Sequence, residues 1–184
     1  MYTRNLLWLV SLVSAAPLYA ADVPANTQLA PQQVFRYNNH SDPGTLDPQK
    51  VEENTAAQIV LDLFEGLVWM DGEGQVQPAQ AERWEILDGG KRYIFHLRSG
   101  LQWSDGQPLT AEDFVLGWQR AVDPKTASPF AGYLAQAHIN NAAAIVAGKA
   151  DVTSLGVKAT DDRTLEVTLC LLYTSPSPRD RTRS

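Results

Sequence analysis

The chain has 184 residues, 44% of them hydrophobic and 20% charged, and a formal net charge of −6. That acidic balance argues against nucleic acid as a partner, because phosphate recognition needs clustered Lys and Arg. One cysteine, Cys170, leaves no pair for an intramolecular disulfide.

Arg4 precedes an apolar run from Leu6 to Val13, and small residues follow up to Ala20. This succession reads as a secretory signal over residues 1–20, cleaved after Ala20, since the run is shorter than the ~20 apolar residues a bilayer span requires. No cysteine stands at the expected cut to carry a lipid. Val34–Tyr37 is predicted as a first strand, ended by Asn38-Asn39. Ser41-Asp42-Pro43-Gly44 is a turn. Ala56, Ile59, Val60, Leu63 and Phe64 fall at helical spacing, predicting a helix over Thr55–Glu65 with Gly66 beyond its end. Leu67–Met70 is a strand, and Asp71-Gly72-Glu73-Gly74 a hairpin turn.

Asp88-Gly89-Gly90 is a further turn, leading into a strand in which Tyr93, Phe95 and Leu97 form an apolar face and Ile94, His96 and Arg98 a mixed one. Ser99-Gly100 breaks it. A second short strand is expected around Trp103, then the turn Ser104-Asp105-Gly106. Thr110 followed by Asp113 approaches capping-box spacing and opens a helix that buries Phe114, Val115, Trp118 and Val122. Asp123-Pro124 stops it. Thr126–Phe130 is a loop, Ala142–Gly148 a short helix, and Leu165–Leu169 a strand. Trp69, Trp84, Trp103 and Trp118 are expected to pack in the core. From Cys170 the pattern gives way to Ser, Pro and Arg, and residues 170–184 read as a non-native tail resembling translated library adapter. Setting aside Arg4 and that tail, which is net +2, residues 21–169 carry −9.

Enzymatic signatures are missing. His40, His96 and His138 are scattered, without metal-ligand spacing. Glu52-Glu53 would point to opposite faces of a strand, a poor acid–base couple. Glu112-Asp113 suits a first helical turn, where acids offset the helix dipole. No nucleophile elbow, phosphate loop or dinucleotide fingerprint is present. The chain is therefore read as a non-enzyme with no cofactor and no metal.

Four stretches carry a family likeness: Leu46-Asp47-Pro48, Asp62-Leu63-Phe64-Glu65-Gly66-Leu67, Ala81-Glu82-Arg83-Trp84, and the run from Tyr93 to Phe114 continued by Trp118-Gln119-Arg120. Together they resemble the peptide- and nickel-binding family of solute-binding proteins that serve ABC importers, its oligopeptide-binding members in particular. The resemblance runs from about Val34 to Leu169. It implies a mixed α/β (α+β) fold, with residues 21–169 the incomplete first lobe of a two-lobed periplasmic binding protein.

The family likeness also implies periplasmic location, an oligopeptide ligand, an ABC permease partner and a monomer. By the same likeness, Val51-Glu52-Glu53-Asn54 is an exposed strand that pairs with the peptide backbone, and Glu52 is an acidic position near the ligand. Asn54 stands where relatives can carry an apolar residue. Phe130 matches a cleft tyrosine, keeping the aromatic wall and losing the hydroxyl. Glu52, Glu53, Asn54 and Phe130 are thus the expected peptide-binding residues. Lobe closure about a hinge is the implied mechanism. The alternatives are an exported structural or chaperone-like domain on the same scaffold, or a binder of dipeptide, murein peptide or metal chelate.

Overall fold

The computed structural model describes residues 27, 28, 31, 32 and 34–170. The expected signal segment, and the expected tail apart from Cys170, lie outside them. The chain divides into two units, Met1–Asn38 and Asn39–Ser184. In the first, Val34–Tyr37 is irregular and not the predicted strand. A strand exists by its ladder bonds, and among the described residues this segment joins no ladder. The rings of Phe35 and Tyr37 stack at 6.0 Å.

The second unit begins with turns and a helix, α1 (Asn54–Leu63). Its apolar spacing matches the expectation, but it stops before Phe64, whose backbone is extended. A hairpin follows, β1 (Val68–Met70) with β2 (Val76–Pro78). Asp71 organises its turn: one carboxylate oxygen accepts from the Glu73 and Gln75 N–H groups at 3.1 and 2.7 Å, the other from the Gln77 amide at 2.6 Å. These bonds favour the ionised form and hold the Asp71 carboxyl below its usual range, the Gln77 amide first among them.

The main sheet is antiparallel, in the order β3 (Ala81–Leu87), β4 (Arg92–Leu97), β6 (Thr164–Thr168), β5 (Val157–Asp161). Tyr93 lies opposite Val167, and Phe95 opposite Leu165. This face, with Leu97 and Val157, meets α2 (Ala111–Val122), α3 (Ala131–Gln136) and α4 (Ala142–Val146). Leu97, Val122, Ile145 and Leu165 are fully buried there, each contributing about 1.5–3 kcal/mol of transfer free energy. The opposite face is ionic. Glu166 meets Lys158 at 3.0 Å and Arg92 at 3.5 Å, and Glu85 meets His96 at 2.7 Å. One apolar and one polar face is what an antiparallel sheet allows.

Several expectations need correction. The helix after Thr110 forms as read, with Val115 and Val122 buried and Phe114 and Trp118 packed at the edge of the core. Around Trp103 there is only an isolated bridge, Gln102 to Pro108, because the Ser104–Gly106 turn leaves no length for a ladder. Trp69 and Trp103 are 55% and 42% exposed, so neither is a core residue. The final helix ends at Val146, and the final strand runs Thr164–Thr168, with Leu169 making a single bridge to Ile139. The strands β3 and β5 and the helix α3 were not foreseen.

Candidate functional site

The Leu46-Asp47-Pro48 motif folds on itself before it meets anything else. The Asp47 carboxylate accepts from the Gln49 N–H at 3.1 Å, and the Asp47 carbonyl accepts from the Lys50 N–H at 2.9 Å. Short-range turns of this kind are the ordinary use of Asp in loops. The formed turn offers both carboxylate oxygens to Arg120, in the last turn of α2. Arg120 donates to Asp47 at 2.6 and 3.0 Å, and to the Gln49 side-chain oxygen at 2.7 Å. The guanidinium beside Asp47 holds its carboxyl down at about 2. Gln49 then uses its amide to donate to the Gly117 carbonyl at 2.6 Å.

A second tie runs from the same turn to the 126–130 loop. The Ser128 hydroxyl donates to the Gln49 carbonyl at 2.7 Å and accepts from the Phe130 N–H at 3.2 Å. One hydroxyl therefore bridges the segment before Val51 and the backbone of Phe130. Phe130 is half-buried, leads into α3, and stacks on Tyr133 with ring centres 5.9 Å apart. Tyr133 is exposed.

The structure separates the four expected site residues. Val51 is buried and anchors the segment. Glu52 and Glu53 are exposed, and Glu53 has extended backbone with φ −87° and ψ 136°. Among the described residues, the backbone N–H and C=O of Glu52 make no hydrogen bond. The four-residue strand is nonetheless cut short, because Asn54 is the first residue of α1. Its backbone is committed to the helix, so it is removed from any extended edge. The Glu53 carboxylate turns back to accept from the Gly44 N–H at 3.2 Å. Glu52 alone keeps both backbone and side chain unengaged by any bond among the described residues. Arg120 figured in the sequence only as part of a motif, and Gln49 and Ser128 carried no signal. Their role depends on contacts across 68 to 79 residues.

A separate open groove of about 500 Å³ lies elsewhere on this unit. Leu63, Phe64, Trp103, Leu109 and Phe114 form its apolar wall, and Gln80 also lines it. The Gln80 side-chain oxygen is buried without a partner among the described residues. None of the four expected site residues lines this groove. Among the described residues no group of three or more His, Cys, Asp or Glu is placed to hold a metal ion. No helix among them is long and apolar enough to cross a membrane.

Residues 75–171 match the family described as bacterial extracellular solute-binding proteins, family 5 Middle. The chain belongs to this solute-binding family. Over 169 residues it is 99% identical to the probable deoxycholate-binding periplasmic protein YgiS of Escherichia coli K12, covering 92% of the chain and 32% of that protein. It is 52% identical over 161 residues to the periplasmic oligopeptide-binding protein OppA of Salmonella typhimurium, covering 88% of the chain and 30% of that protein. The chain thus spans about a third of the length of these relatives.

Among solved structures, Haemophilus influenzae OppA in complex with RPPGFSPFR aligns with a TM-score of 0.69 at 44% identity, over 72% of this chain and 26% of that one. The Escherichia coli murein tripeptide-binding protein MppA aligns at 0.67 and 47%, over 70% and 25%. The mixed helix-and-sheet architecture is that of these solute-binding proteins, as the family likeness implied.

Proposed function

We propose that the full-length protein containing this chain is the substrate-binding component of an ABC importer. It captures an oligopeptide in the periplasm, mainly through backbone contacts, and hands it to a membrane permease. One observation carries the site: the exposed pair Glu52 and Glu53, with Glu53 extended and the Glu52 backbone unpaired among the described residues, held next in the network to the aromatic Phe130. Unpaired extended backbone is what strand addition uses, and it recognises peptides without reading their side chains. Family membership and the oligopeptide- and murein-peptide-binding names of several relatives support the same reading. Those names, and YgiS, support a periplasmic location.

A second reading of the ligand has its own support. The relative at 99% identity is named for deoxycholate. An amphipathic steroid acid would use the aromatic wall at Phe130 and have little need of a peptide-pairing edge. The two ligands are separated by thermal shift and calorimetry on the full-length protein. A ligand at 100 times its Kd stabilises the native state by about 2.7 kcal/mol. Stabilisation by tri- and tetrapeptides supports the first reading. Stabilisation by deoxycholate alone replaces it with the second. Failure of both ligands, and of dipeptides and metal chelates, turns the case toward an exported structural domain.

A further inference from the structure

We infer that Arg120, Gln49 and Ser128 are positioning residues for ligand capture, a latch that sets Val51–Glu53 in register with Phe130. This rests on the reading of those segments as ligand-facing. The latch has two arms, both centred on the turn at Asp47–Lys50. One arm runs from α2, where Arg120 grips Asp47 through two oxygens and Gln49 through a third, while Gln49 returns a bond to the Gly117 carbonyl. The other runs through the Ser128 hydroxyl, which joins the Gln49 carbonyl to the Phe130 N–H.

The fold does not need this arrangement. Arg120 and Asp47 are 47% and 25% exposed, and ion pairs at such sites add little to global stability. The core under β4 and β6 is apolar and includes none of Asp47, Gln49, Arg120 and Ser128. The latch does govern where two otherwise separate segments stand. Between Asp47 and Glu53 the described residues give the chain little other long-range support: Val51 is buried, and Glu53 is tied to the nearby Gly44 through its carboxylate and to Ala57 of α1 through its carbonyl. Releasing the latch frees that segment locally without unfolding the domain. A site that is correctly arranged for a smaller fraction of the time binds more weakly by that fraction.

The test uses the full-length protein with tetra-alanine peptide and sodium deoxycholate as probes. Arg120→Gln and Ser128→Ala are each expected to weaken the Kd of whichever probe binds by about tenfold. Ser128→Thr, which keeps the hydroxyl, is expected to restore it. Amide exchange at Lys50 and Phe130 should quicken in both weakened variants, while exchange in β4 and β6 stays at the wild-type rate. Unchanged exchange at Lys50 and Phe130, unchanged affinity for a probe that binds wild type, or an equal rise of exchange across β4 and β6 overturns the latch. Should wild type bind neither probe, the importer reading is what falls, and exchange at Lys50 and Phe130 still decides whether the latch exists.

Discussion

Gly156 has a constraint that no neighbour in sequence reveals. A Cβ added there would stand 2.5 Å from the Asn140 side chain and 2.7 Å from the Thr168 carbonyl. The close approach lets Gly156 donate to the Asn140 carbonyl at 2.8 Å, and its own carbonyl accept from Thr168 at 2.7 Å. Gly156→Ala is therefore expected to cost about 1–3 kcal/mol through overpacking, read as a fall in the urea midpoint.

Asp47 supplies a prediction in pH. Its folded carboxyl titrates at about 2, against the ordinary 3.8. A depressed carboxylate contributes stability that is fully present above the unfolded value and is lost as pH falls through the folded one. The Arg120 tie should thus hold from neutral pH to about 4 and release between 4 and 2. A carboxyl resonance of Asp47 titrating near 4 would contradict this. Asp47 was legible in the sequence only as part of the Leu46-Asp47-Pro48 family likeness. Its partner was not, because nothing in the spacing joins position 47 to position 120.

At the scale of elements, the helix α2 was readable because its ends and its face agree. The Asp113 carboxylate accepts from the Thr110 N–H at 2.7 Å and the Thr110 hydroxyl at 3.1 Å, so the spacing read from sequence is realised. Asp113→Ala should cost about 1 kcal/mol, as loss of a helix cap does, and Glu112→Ala, exposed and outside that arrangement, clearly less. Equal losses in denaturant unfolding would assign the effect to charge near the dipole alone. The strand β4 was equally plain from its alternation. Its inner neighbour shows how much depends on that face: Leu165→Ala on β6 should cost about 2–5 kcal/mol. The outer strands were hidden for a physical reason. Both β3 and β5 lie at sheet edges, where charged residues such as Glu82, Arg83, Lys158 and Asp161 suit solvent and blunt unwanted pairing. In β3 those charges break the apolar alternation by which a strand is recognised, and in β5 the alternation rests on Val157 and Ala159 alone, too short a run to stand out. The proposed strand at Val51–Asn54 failed differently. The local sequence starts α1 at Asn54, which takes that residue out of an extended segment.

Across the whole molecule, the surface is unfinished in a way that bears on function. The hairpin of β1 and β2 is a two-stranded sheet carrying Trp69, Met70 and Val76 at 50% exposure or more. A lone hairpin is marginal in water, and a cluster of exposed large apolar side chains calls for a cover. The chain spans about a third of its relatives' length, and the remaining length of the proposed full-length protein would be ample to provide one. On the proposed reading, capture between two lobes needs both walls of a cleft, and Val51–Glu53 with Phe130 would supply one. Binding through a single wall forfeits the desolvated, enclosed contacts that dominate affinity. Residues 21–169 expressed alone should therefore bind an apolar-surface dye strongly and capture tetra-alanine or deoxycholate no tighter than about millimolar, roughly −4 kcal/mol. The full-length protein should bind its ligand at micromolar or better and lose the dye signal. Micromolar capture by the isolated piece would mean that this lobe carries a complete site, and that closure by a second lobe adds nothing to recognition.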